Sequence, residues 1–185
     1  MTNAVLEAIR TRRVARALTD EPIERAQVEE VLKAARWAPS GGNRRLHRFV
    51  AVQDRVTLRL LRMVSPGMFQ RPQAVITICI DVERARSFGM APNARGLYVD
   101  VGTAAQTMLL AAHSLGLGAG IVTSFSRAAV AGVLNLPDGW SPEMCICLGI
   151  AAAQQPGAIR PRTPVTWQSL SHWERFASPP GAASP

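Results

Sequence analysis

Residues 99–118 read VDVGTAAQTMLLAAHSLGLG. The run is apolar on every side and rich in alanine, the pattern of a helix packed all round rather than one resting on a surface. Asp100, Gln106 and His113 interrupt it. A membrane span would need about 20 largely unbroken apolar residues, so the segment Val99–Leu115 is expected to be a buried central helix. Gly116-Leu117-Gly118 then ends it, since glycine readily adopts the left-handed backbone that closes a helix.

Upstream, Ala74 to Ile80 (AVITICI) is a continuous apolar run rich in β-branched residues, as expected of a strand covered on both faces. Downstream come a strand over Ala119–Val122, a helix over Arg127–Leu134, and a second fully buried strand over Met144–Ala151 (MCICLGIA). Nearer the N-terminus, Phe49–Val52 reads as a strand and Asp54–Met63 as a helix carrying Val56, Leu60 and Leu61, broken at Ser65-Pro66-Gly67. Val28, Val31, Leu32 and Ala35 recur at helical spacing up to Trp37. That helix is launched by the turn Leu18–Ile23, with Pro22 near its first position, and stopped by Pro39. A short helix is expected over Val5–Ile9, a loop or short helix over Arg84–Arg95, and an amphipathic segment over Val165–Phe176. Helices and strands intermingle without a strict βαβ rhythm, which predicts an α+β fold, one sheet with helices on both faces. Residues 1–176 are expected to form one domain and 177–185 (ASPPGAASP) a flexible C-terminal tail.

The chain has 185 residues, 48% of them hydrophobic, enough for one substantial core. The N-terminus, MTNAVLEAIRTRR, lacks the basic-then-apolar order of a secretion signal, and a cytoplasmic location is expected. Cys79, Cys145 and Cys147 sit inside apolar runs. Cys145 and Cys147 share one face of a strand and are badly placed to bond to each other, so all three read as small hydrophobes. His47, His113 and His172 form no ligand spacing, and no metal is expected.

The net charge is +8, and of 21 basic residues Lys33 is the sole lysine. Arginines crowd three places: Arg10, Arg12, Arg13 and Arg16; Arg44, Arg45 and Arg48; Arg160 and Arg162. Guanidinium forks suit phosphate groups, although a solvated basic face reads the same way. Single-stranded nucleic acid would want aromatic residues among the arginines, and aromatics make up only 5% of the chain; neither nucleic acid nor membrane is expected as a partner. GxSxG, HExxH and P-loop signatures are missing. Gly116 to Gly120 follows a helix rather than a strand, so it reads as a helix end and not as a dinucleotide loop.

Four ordered segments resemble the nitroreductase family. Arg12-Arg13-Val14-Ala15-Arg16-Ala17-Leu18-Thr19-Asp20-Glu21-Pro22-Ile23 is similar to its RRSxRxFxxxPV opening. Ala35-Arg36-Trp37-Ala38-Pro39-Ser40-Gly41-Gly42-Asn43 is similar to its ARxAPSxxN loop. Asp100-Val101-Gly102 through Gln106 to Leu115-Gly116-Leu117-Gly118 is similar to its buried helix. Arg160-Pro161-Arg162-Thr163-Pro164 with His172-Trp173-Glu174-Arg175-Phe176 is similar to its closing segment.

The resemblance implies a three-layer α/β/α sandwich around a central mixed sheet, with flavin mononucleotide (FMN) held at a homodimer interface. It implies that Arg12, Arg13 and Arg16, with Val14 between them, contact the phosphate, ribityl chain or pyrimidine edge. Pro39, Ser40, Gly41 and Asn43 would line the ring from the second subunit. Ile121, Val122, Thr123 and Ser124 would pass the reactive edge with a main-chain N–H, Ser65 would stand in at the pyrimidine edge, and Arg160 and Arg162 would close on the phosphate. Arg16 could alternatively pair with Asp20, and Ser40 and Asn43 could serve turn chemistry alone. The implied activity is ping-pong electron transfer from NAD(P)H through FMN to a small-molecule nitroaromatic, quinone or similar acceptor, with no catalytic side chain because the cofactor carries the chemistry. A specialised flavin enzyme of the same fold (another reduction, an oxidation or flavin breakdown) and a non-catalytic FMN-binding protein are the alternatives. The chain departs from the family pattern at Val14, where serine is usual, at Arg45-Leu46-His47, where Gln-Pro-Trp is usual, and between Met63 and Arg71, where no asparagine stands.

Overall fold

The computed structural model describes residues 3–156 and 165–176. Its centre is strand β2 (Ala74–Asp81), in which every residue from Ala74 to Ile80 is buried. Ala74, Ile76, Ile78 and Ile80 face one layer and Val75 the other. This is the two-sided burial that the β-branched run foretold, and each such side chain contributes about 1.5–3 kcal/mol.

The remaining elements are α1 (Ala4–Thr11), α2 (Arg25–Ala35), β1 (His47–Val52), α3 (Arg55–Met63), α4 (Val82–Ser87), α5 (Arg95–Ser114), β3 (Gly118–Val122), α6 (Arg127–Val133) and β4 (Trp140–Gly149). The strand order is β1-β2-β4-β3. Ile76 lies opposite Ile146 and Thr77 opposite Cys145. Helices α2, α4 and α5 cover one face of the sheet, while α3 and α6 cover the other. The α+β reading, one sheet with helices on both faces, holds.

Several details differ from expectation. Every strand pair is antiparallel among the described residues, so the sheet is not mixed. The β2–α5–β3 crossover does leave two strands running the same way, but β4 inserts between them and no parallel neighbours arise. Pro22 lies outside α2: Glu24 is the N-cap, and its N–H donates to Gln27 Oε1 at 2.9 Å, so the helix starts at Arg25. Helix α3 buries Leu58 and Leu61, whereas Val56 and Leu60 are exposed. Helix α5 buries Leu97, Val101, Ala104, Ala105, Met108, Leu109 and Ala112, yet Val99 on its other side is 62% exposed; alanine and glycine made a one-sided helix look greasy all round.

Helix α5 closes as the glycine predicted. Gly116 takes φ 74°, Leu117 N–H donates to Ala112 O at 2.8 Å and Gly116 N–H to His113 O at 3.0 Å, the paired bonds of a Schellman end. The segment Val165–Phe176 holds a single 3-10 turn (Gln168–Leu170), and Val165, Trp167, Leu170, Trp173 and Phe176 are all exposed. The tail 177–185, Arg160 and Arg162 lie outside the described residues. No helix among the described residues is long and apolar enough to cross a membrane.

Candidate functional site

Strand β3 is an edge strand, and the N-terminal arginine segment lies along it. Ala15 N–H donates to Ala119 O at 2.9 Å, Thr19 N–H to Ile150 O at 2.8 Å, and Leu18 bridges to Ala151. The approach is close because β3 carries no side chain at two positions on that face. A Cβ on Gly118 would meet Ala15 Cβ at 3.0 Å and Ala151 Cβ at 2.9 Å; one on Gly120 would meet Ala15 O at 2.7 Å and Gln70 Nε2 at 2.5 Å. The glycines read from sequence as a helix end therefore have two jobs: Gly116 closes α5, and Gly118 and Gly120 seat the arm.

The arm is pinned from both sides. Gln155 Oε1 accepts from Arg16 N–H (2.8 Å) and Ala17 N–H (3.0 Å), and its Nε2 donates to Ala17 O (2.7 Å). Gln70, 5% exposed, donates from Nε2 to Ala15 O at 3.1 Å. Neither glutamine stood out in the sequence, because a glutamine's role is set by partners far along the chain.

Gln70 belongs to the loop 64–70, which meets the end of β3. Gly67 N–H donates to Ser124 O and Ser126 N–H to Val64 O, both at 3.0 Å. Three buried polar atoms on these joined segments have no hydrogen-bond partner among the described residues: Arg12 Nη1, Ser65 Oγ and Gln70 Oε1. Buried polar atoms are paired in the great majority of cases, so three orphans on adjoining segments call for a polar group beyond the described residues. Thr123 and Ser124 are exposed and Ile121 partly so, while Val122 points into the core; Val122 offers only main chain here. Arg13 turns back, its Nη1 donating to Arg10 O (2.7 Å) and Arg12 O (3.0 Å). No ion pair joins Arg16 to Asp20 among the described residues. An open groove of about 330 Å³ beside the arm is lined by Thr11, Arg13, Val14, His113 and Gln155, among others.

Pro39, Ser40, Gly41 and Asn43 sit elsewhere. Gly41 N–H donates to Asp100 Oδ1 at 2.9 Å, and Thr103 Oγ1 donates to Pro39 O at 3.0 Å, which fixes this loop at the first turns of α5. The arm lies at the other end of the same helix, where Thr11 Oγ1 and His113 Nε2 are 2.9 Å apart. Thirteen residues separate Asp100 from His113, about 20 Å at 1.5 Å per residue. The two groups of predicted site residues therefore do not touch within one chain. Asp100, an acid in an apolar helix, and Thr103 hold the Pro39–Gly41 loop; the sequence placed them in α5 without that role.

Two larger clefts, of about 440 and 500 Å³, flank the free edge of β1 and share Gln53. They contain none of the predicted site residues and none of the orphaned atoms, so size does not locate the chemistry. The three cysteines are free and buried. Burial pushes the Cys145 thiol up to about 11 and that of Cys79 up to about 12, with Cys147 also raised; they act as small hydrophobes, as read from sequence.

The chain is similar to known proteins. A family model described as the nitroreductase family matches residues 9–74 and 62–150. A protein of Methanothermobacter thermautotrophicus, provisionally named NADH dehydrogenase/NAD(P)H nitroreductase, is 32% identical over 161 residues, 83% of this chain and 80% of its own. FMN reductase (NAD(P)H) of Bacillus subtilis is 28% identical over 192 residues, 94% of this chain and 75% of its own. A crystal structure from Parabacteroides distasonis, provisionally titled with the same name as the Methanothermobacter protein, superposes with a TM-score of 0.75 at 28% identity. It covers 92% of this chain and 98% of that one.

Proposed function

The chain belongs to the nitroreductase family of oxidoreductases, and from that premise we propose that it is an FMN-dependent NAD(P)H oxidoreductase. The observation that carries this reading is the set of orphaned buried atoms: Arg12 Nη1, Ser65 Oγ and Gln70 Oε1 on segments that converge at β3.

On this reading Arg12 and Arg16 supply fixed cations to the phosphate and the pyrimidine edge, with Arg13 held back as a cap on α1. Arg160 and Arg162 would add to the phosphate contacts. A dianion flanked by several guanidinium groups gains charge-assisted, often bidentate hydrogen bonds. Gly118 and Gly120 let the arm lie against the sheet, and the main chain of Ile121–Ser124 faces the ring with N–H donors rather than side chains. Gln70 Oε1 and Ser65 Oγ face the polar edge of the ring, the place where an asparagine is missing. Pro39, Ser40, Gly41 and Asn43, too far away in the same chain, would come from a second copy. Bound FMN supplies the redox chemistry, taking a hydride from NAD(P)H and delivering electrons to a nitroaromatic, quinone or similar acceptor. No side chain of this chain then has to move a proton, consistent with a site of arginines, amides and bare backbone.

The test is the visible spectrum of the freshly purified protein, before and after FMN, followed by anaerobic NADH and then NADPH. A yellow protein bleached by either nicotinamide is the expected result. A protein that stays colourless after soaking with FMN overturns the reading. A yellow protein that neither nicotinamide bleaches would instead fit the specialised or non-catalytic alternative.

A further inference from the structure

A third arginine cluster is left over. Arg36 at the end of α2, Arg45 in the following loop and Arg48 on β1 surround a pocket of about 220 Å³ whose other walls are Leu32, Ala38, His47 and Phe49. None of the three guanidinium groups has a carboxylate partner among the described residues; the ion pairs found there use Arg10, Arg25, Lys33 and Arg127. Arg36 rests over the Trp37 ring at 4.8 Å. Arg45 Nε donates to Asn43 Oδ1 at 3.1 Å, and Arg48 Nη1 donates to Arg45 O and His47 O at 2.8 and 2.9 Å. These bonds hold two of the guanidiniums at the rim while leaving other N–H groups to spare.

The wall itself asks for a polar contact. His47 is 8% exposed, its ring lies 5.2 Å from that of Phe49, and its Nδ1 has no hydrogen-bond partner among the described residues. The site therefore combines an apolar wall, one buried orphaned ring nitrogen and three cations without a carboxylate partner among the described residues. A small inorganic anion would leave the apolar wall and the imidazole unused. A neutral aromatic would leave the cations unused. A flat ring bearing a carboxylate uses the apolar wall, the imidazole nitrogen and the Arg45 and Arg48 cations together, and the size fits, since an engineered apolar cavity of about 150 Å³ already accepts benzene.

We propose that this pocket is a binding site for a small single-ring aromatic carboxylate, separate from the groove along β3. The ring lies against Leu32, Ala38 and Phe49, the carboxylate meets Arg45 and Arg48, and His47 Nδ1 contributes a hydrogen bond. The site does not depend on how the β3 groove is read, because it shares none of the orphaned atoms there.

Titration calorimetry on the protein as purified, with benzoate as the probe, tests it. Benzyl alcohol and inorganic phosphate are the comparison ligands, and Arg45→Ala, Arg48→Ala and His47→Phe the variants. The expected result is one benzoate per chain, bound at least about tenfold more weakly by Arg45→Ala or Arg48→Ala, the loss of one charge-assisted contact. Benzyl alcohol and phosphate should each bind at least about tenfold more weakly than benzoate on the same grounds. His47→Phe, which keeps an aromatic ring but removes the ring nitrogens, should also weaken benzoate binding; if that variant does not fold, the two exposed arginine variants decide alone. The proposal falls if benzoate does not bind, if the arginine variants bind it as wild type does, or if benzyl alcohol or phosphate matches it.

Discussion

Replacing Gly120 by alanine tests the seating of the arginine arm directly. The new methyl would stand 2.7 Å from Ala15 O and 2.5 Å from Gln70 Nε2, against ordinary contacts of about 3.5–4.0 Å between carbon atoms. The Gln70 amide end could swing aside, although it is buried and would give up its bond to Ala15 O. The Ala15 carbonyl cannot swing alone. It is main chain, tied through Ala15 N–H to Ala119 O at 2.9 Å, so the arm must lift by several tenths of an ångström. Overpacking of this kind costs about 1–3 kcal/mol. Urea unfolding should show a destabilisation in that range, and fluorescence titration should show weaker FMN binding because Arg12 and Arg16 lift with Ala15. Combining Gly120→Ala with Gln70→Ala should recover part of the stability but not the FMN affinity. A Gly120→Ala protein within about 0.5 kcal/mol of wild type, the scale of an innocuous surface change, and with unchanged FMN affinity would refute the packing argument.

Arg12→Ala should weaken FMN binding about 10- to 100-fold, the equivalent of one charge-assisted hydrogen bond of about 1.5–3 kcal/mol; equilibrium dialysis would show it, and an unchanged affinity would place Nη1 outside the site. Asp100→Ala removes the acceptor of Gly41 N–H, a bond to an ionised group; because water reaches Gly41, the lower end of the same range applies, about 1.5 kcal/mol or a Tm lower by about 3–6 °C. Asp100→Asn, which keeps an oxygen in place, should lose less, and amide exchange at Gly41 should rise only in the alanine variant. Burial holds His47 below the ordinary imidazole value of 6.5, reinforced by Arg48 and Arg45 and opposed by Asp100. The unfolded chain therefore binds the proton more readily, so this contribution to stability is intact above pH 6.5 and is lost as pH falls toward the folded-state value. His47→Phe should flatten that part of the stability profile in denaturant titrations at stepped pH, and an unaltered slope would show that His47 is not its source.

The parts of the fold that were legible are those decided by local chemistry. AVITICI reads as a two-sided strand because no charge interrupts it, and Gly116 reads as a helix end because few residues but glycine tolerate its backbone. The parts that were not legible depend on who lies next to whom. Whether the sheet is mixed turns on β4 slipping between β2 and β3, which no single segment announces. Gly118 and Gly120 resemble a helix end in sequence, and only Ala15, more than a hundred residues away, gives them their purpose. Val165–Phe176 has helical spacing but meets too little of the chain to bury it. At the candidate site, the arginines, the Pro39–Asn43 loop and Ser65 were visible as motifs, whereas Gln70, Gln155, Asp100 and Thr103 were not, since each acts on backbone distant in sequence.

The placement of α1 bears on how the two groups of proposed site residues would meet. This helix is eight residues long and buries none of them, with Val5, Leu6 and Ile9 more than half exposed. A helix so short is marginal in water without a surface to pack on, and among the described elements its main neighbour is α5. The same chain keeps the Pro39–Gly41 loop about 20 Å along α5 from the arginine arm. Both facts are resolved at once if a second copy lays its α5 antiparallel to the first. Each α1 then gains an apolar surface, and each arm faces the other copy's loop. On that reading the order of α1 and the completeness of the flavin groove are one equilibrium, because the segment that follows α1 is the one that carries Arg12, Arg13 and Arg16. A cofactor held by both halves stabilises the pair, and by the same linkage the pair stabilises the helix that delivers the arginines.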